Sequence, residues 1–224
     1  MNSFVRWLPA TGVLAAVALA LTGLISPPPP VAGAPATEIA EYYARHHTGL
    51  EIESVADGLG VMLLVIFAAT FHARLRTIPS LTAFGAAAIV AACTLVQVAV
   101  FHTLAFRTSP DPTRAVVLND LQTFAFQVTT FPTLLFLGAA GAAILLSGSL
   151  PRRLALVAFA AAALQVVAWV SFFAPYGILA AGALPDIAAF AALLAWLVAC
   201  SVVMLVRTGP STAIERSPAA SVQP

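Results

Sequence analysis

The chain has 224 residues, of which 61% are hydrophobic and only 8% charged. A soluble domain carries roughly 25% charged residues to dress its water-facing surface, so the soluble globular class is excluded, and so much apolar side chain also excludes an intrinsically disordered chain. What remains is an all-α polytopic membrane protein whose first partner is the lipid bilayer, and a net charge of +1 gives no basis for nucleic-acid binding.

All ten basic residues are arginine, which removes Schiff-base lysine chemistry and the phosphate-binding P-loop lysine. Cys93 and Cys200 stand apart in apolar stretches without a CxxC pairing. They read as small hydrophobes, not as a redox or zinc motif.

About 20 apolar residues cross a bilayer as a helix. Six segments meet that criterion: 8–25, 55–73, 81–106, 118–146, 154–174 and 187–206. Proline, glycine or arginine breaks each junction, and the short alternating segments of a strand barrel are absent. The first segment has a second reading as a signal peptide, with Arg6 before the apolar run and cleavage near Ala34. Its run exceeds the roughly 7–15 residues of such signals, which favours a span.

Residues 26–54 form the longest stretch between spans. Four prolines at 27–30 predict a stiff polyproline-like spacer. A short interfacial helix is then expected over 37–48, with Thr37 as N-cap, Glu38 and Glu41 in its first turns and Gly49 just past its end. Ile39, Tyr42, Tyr43, His46 and Leu50 would share one face, with the tyrosine rings at headgroup level. The candidate metal ligands are His46 and His47 in this stretch and His102 at the outer end of the third span. Neighbouring helical positions diverge by about 100°, and no HxxxH or HExxH spacing occurs, so a solvated acidic loop is the competing reading.

His72 and His102 fall near opposite leaflets and cannot share a haem. No cofactor is expected. In the fourth span Asp120, Thr123, Gln127 and Thr130 follow one helical stripe, with Gln97 on the third span and Gln165 on the fifth as facing groups. Polar residues at this depth turn inward, because lipid offers them no partner. They act either as interhelical hydrogen bonds, worth about 0.6 kcal/mol each, or as the wall of a vestibule open to the outer face and headed by Asp120. Pro132 removes the donor to the carbonyl of Val128 and predicts a kink there, with the hydroxyl of Thr129 or Thr133 as substitute donor. The run Gly138-Ala139-Ala140-Gly141-Ala142 allows close helix approach, within the chain or in a homo-oligomer. Trp7 and Tyr176 are expected as interfacial anchors, and Trp169 and Trp196 as packing residues.

Arginine sets the threading. Arg6, Arg74, Arg76, Arg152, Arg153, Arg207 and Arg216 fall on one side, and Arg45, Arg107 and Arg114 on the other. The richer side is cytoplasmic by the positive-inside bias, so both termini face the cytoplasm and 207–224 is a disordered tail. Glu38, Glu41, Glu51, Glu53, Asp57, Asp111, Asp120 and Asp186 then lie outside, with only Glu215 inside.

The run Glu38-Ile39-Ala40-Glu41-Tyr42-Tyr43-Ala44-Arg45-His46, followed by Thr48-Gly49 and an apolar span closing on Leu75-Arg76, resembles uncharacterised six-span membrane proteins common in actinobacteria and grouped under domains of unknown function. The resemblance implies the same threading in a bacterial cytoplasmic membrane and brings no catalytic residues. No paired DxxxD, metalloprotease glutamate pair or GxSG serine is present, and no acid–base or nucleophile set assembles. The expected function is a non-enzymatic accessory or interaction subunit, docking a membrane-protein partner on its acidic outer face. The alternative is a small transporter or sensor using the vestibule.

Overall fold

A computed structural model of the chain describes residues 6–106, 111–173 and 184–207. The expected anchor Tyr176, Arg107, and the tail from 208 onward, with Arg216 and Glu215, lie outside these residues. The described elements are α1 (Ala10–Leu21), α2 (Ala36–Leu75), α3 (Ile78–Ala105), α4 (Pro112–Val128), α5 (Thr130–Ser147), α6 (Arg152–Ala168) with a 3₁₀ turn at Trp169–Phe172, and α7 (Leu184–Arg207). No strand occurs among the described residues.

Five stretches are long and apolar enough to cross a membrane: α2, α3, α4 with α5, α6 with its 3₁₀ turn, and α7. At 12 residues, α1 is about 18 Å long, short of the roughly 30 Å of bilayer hydrocarbon.

The short interfacial helix over 37–48 does not exist as a separate element. It is the first part of α2, which runs unbroken for 40 residues. Pro35, not Thr37, precedes the first turn, and no side chain caps it. Gly49 is not a helix stop but a contact point. A Cβ there would lie 2.5 Å from Ser26 Oγ, so glycine lets the preceding segment press against the helix.

The sharp corner between α2 and α3 has a clear local cause. Arg76 adopts a left-handed conformation (φ 52°) and donates its N–H to the carbonyl of His72. Thr77 and Ser80 form a reciprocal capping box, with Pro79 in the first turn. At the start of α4, Asp111 Oδ1 accepts from the N–H groups of Thr113 and Arg114 at 2.8 and 3.3 Å. The fourth span breaks at Thr129, one turn before Pro132, where the sequence predicts the kink. The hydroxyls there do not cap Val128. Those of Thr129, Thr130 and Thr133 donate instead to the carbonyls of Phe126, Gln127 and Thr129.

The core centres on Trp196, fully buried, with Phe67, Phe71 and Phe136 edge-on at 6.2, 6.1 and 5.5 Å. Its Nε1 donates to the carbonyl of Leu154 at 3.2 Å. Helix α1 seats between α2 and α7 through Gly12, where a Cβ would meet Ser201 and Phe67 at 2.1 and 2.6 Å. At one end of the bundle Arg74 donates to the carbonyl of Met204 and Arg207 to that of Ser149. The opposite end carries the prolines at 27–30. Large apolar side chains such as Leu59, Met62, Val96, Leu135 and Val202 face outward, as expected of a surface solvated by lipid.

Candidate functional site

Between α1 and α2 the chain forms a strap over the proline end of the bundle, and hydrogen bonds along its length pin it. Ser26 N donates to Glu53 Oε1 at 2.8 Å, and Tyr42 Oη to the carbonyl of Pro27 at 2.6 Å. Asn119 Nδ2 donates to the carbonyl of Pro30 at 3.1 Å. Gly33 N donates to Asp120 Oδ1 at 3.3 Å. Proline is suited to this position. It lacks an N–H that would otherwise need a partner, and its fixed φ lowers the entropy lost on ordering.

Beneath the strap lies a cavity of about 450 Å³, within the roughly 300–1,000 Å³ typical of small-molecule sites. Every described helix contributes to its wall. Its acidic groups are Glu53 and Asp57 of α2 and Asp186 of α7, and its amides are Gln97, Gln122 and Gln165. Hydroxyls come from Thr22, Thr94, Thr123, Thr129, Thr130 and Thr133, and aromatic rings from Phe101, Phe126 and Phe190.

Of the expected vestibule residues, Gln97, Thr123, Thr130 and Gln165 line this cavity. Three of them are also bonded within the bundle. Thr123 Oγ1 donates to the carbonyl of Asn119 at 2.9 Å, and Gln165 Nε2 to that of Ala189 at 2.9 Å. Thr130 Oγ1 donates to the carbonyl of Gln127 and accepts from Trp169 Nε1 at 3.0 Å.

Asp120 and Gln127 do not line the cavity among the described residues. Asp120 holds the strap through Gly33 instead of heading the vestibule. Gln127 is fully buried, with Nε2 donating to Ser171 Oγ at 2.9 Å and Oε1 lacking a partner among the described residues. Ser171 in turn lies 3.1 Å from Asp186 Oδ1, so Gln127 reaches the cavity wall only through Ser171.

The three histidines are dispersed. The ring of His46 lies 5.0 Å from that of Tyr42, His47 Nδ1 is 3.2 Å from the carbonyl of Ala44, and His102 sits on α3 against Phe106. Among the described residues no three His, Cys, Asp or Glu side chains are grouped so as to hold a metal ion.

No protein-family model matches the chain, nor does any curated protein or solved structure. Any functional reading therefore comes from the site's own chemistry.

Several residues of the site escape the stripe reasoning. Asn119, one position before Asp120, is buried and joins Tyr43 to the strap, its Oδ1 accepting from Tyr43 Oη at 3.0 Å. Burial raises the Tyr43 hydroxyl above its ordinary pKa, which keeps it a donor. Gln122 is missed because it stands off the stripe by one residue. Glu53, Asp57 and Asp186 are visible in the sequence as members of an acidic face. Their approach to a common cavity is what the fold adds. The usable signal is position, since Asp57 and Asp186 lie within a turn of the start of an apolar run.

Proposed function

We propose that the protein is a small-molecule-binding membrane protein, a transporter or sensor, whose cavity under the strap admits its ligand from outside the cell. On this reading the chain threads six times in a bacterial cytoplasmic membrane, with α1 in the first span and both termini in the cytoplasm. The proline end then faces outward and the arginine end inward. The observation that carries the reading is the cavity itself: a space of about 450 Å³ into which every described helix sends polar or apolar side chains. Interhelical hydrogen bonding alone would call for no such space. The interaction-subunit reading keeps its acidic outer face but loses the free interfacial helix expected to help dock a partner, because the apolar side of that segment is packed inside the bundle. Ile39, Tyr43 and Leu50 are fully buried, packed with Phe101, Leu104 and Ala115.

The test is a thermal-shift screen of small molecules against the full chain in lipid nanodiscs, paired with Val98→Trp, which fills the cavity. A ligand at 100 times its Kd stabilises by about 2.7 kcal/mol. Compounds should raise the Tm of the wild type and leave that of folded Val98→Trp unmoved. A screen with no stabilising compound, or one whose hits act equally on both proteins, would overturn the reading.

A further inference from the structure

We infer that the ligand of this cavity is an amphiphilic organic cation, a protonated amine or quaternary ammonium bearing an apolar group. The inference rests on the binding reading above and names its chemistry. Glu53, Asp57 and Asp186 lie on the wall, and no arginine or histidine does so among the described residues. Glu53 and Asp57 form no ion pair there either, the salt bridge among the described residues joining Glu41 to Arg45. Ionised carboxylates facing a largely apolar space are costly, and a positive charge placed in that space favours their ionised form.

Independent features point the same way. Phe101, Phe126 and Phe190 share the wall, and aromatic faces attract desolvated cations. The prolines of the roof bring no N–H donor that would suit an anion, and the carbonyls of Pro27 and Pro30 already accept from Tyr42 and Asn119. An anion would meet several carboxylates and, among the described residues, no positive group on the wall. A metal ion would need a tighter ligand set than the described residues provide. A bulky cation suits carboxylates distributed around a wide, aromatic-lined space.

The experiment uses the full chain in nanodiscs of neutral lipid and three probes of similar shape: benzyltrimethylammonium, its uncharged carbon isostere neopentylbenzene, and phenylmethanesulfonate. Equilibrium binding, corrected against empty nanodiscs, should detect the cation and find the neutral isostere at least about tenfold weaker and the anion absent. Glu53→Gln and Asp57→Asn keep a hydrogen-bond acceptor and remove the charge. Each should weaken the cation about tenfold without lowering the Tm, and leave the neutral probe unchanged. Equal or tighter binding of the neutral or anionic probe, sensitive to Val98→Trp, would overturn the cation assignment and leave the binding reading standing. Cation binding indifferent to both charge-removing variants would also overturn it. If none of the three probes binds, the cation assignment fails, and the binding reading is then decided by the wider screen.

Discussion

Asn119 uses both ends of its amide, accepting from Tyr43 Oη and donating to the carbonyl of Pro30. It is fully buried, as is Tyr43, so truncating it strands a phenol in the interior. Asn119→Ala should cost about 1–3 kcal/mol, the usual penalty for an orphaned buried donor, read as a lower Tm in detergent. Tyr43→Phe added to that variant should cost less than Tyr43→Phe in the wild type, because the partner is already gone. The sequence hides this residue for a physical reason. A stripe marks a face to within about one position, and the charge of Asp120 drew the eye to its neighbour. The helix turns Asn119 into the interior and leaves Asp120 at the edge, where it can reach Gly33.

The elements were legible where transfer free energy decides them and illegible where contact does. Apolar runs marked out α3, α6 with its 3₁₀ turn and α7 to within about three residues and the fourth span, α4 with α5, to within about six, and Pro132 marked the turn at which that span breaks. The cap signals at Thr37 and Gly49 misled, because a glycine can serve either a left-handed turn or a close approach. Only the packed structure tells these apart. In α2 the glycine is helical and faces Ser26. Gly49→Leu should therefore leave helix content unchanged by circular dichroism and push the strap away. Amide exchange at Ser26, protected by Glu53 at 2.8 Å, should become faster, whereas Gly85→Ala, with open space around its site, should leave it unaltered. An unchanged exchange rate in Gly49→Leu would mean that the strap is not seated on α2.

For the whole molecule, the arginines divide the bundle into two unlike ends. Arg74 and Arg207 bond carbonyls at one end, while Glu53, Asp57 and Asp186 gather beneath the strap at the other. The proposed threading puts the arginine end in the cytoplasm. A reporter active only outside the cell should therefore be silent when fused after the C-terminus and active when inserted in the strap after Gly33. The reverse pattern would invert the protein and turn the cavity to the cell interior. This much follows from counting residues along the chain. The cavity does not, since it depends on which faces of the described helices meet, and periodicity within each helix carries no information about its neighbours.

The unbroken course of α2 has a consequence at both ends of the molecule. Glu53 and Arg74 ride on one continuous rod, separated by roughly 30 Å of axial rise. No proline interrupts the backbone hydrogen bonds between them. One element therefore carries both the carboxylate that holds the strap and the guanidinium that holds Met204, so the two ends of the molecule are joined within a single helix and not through a loop.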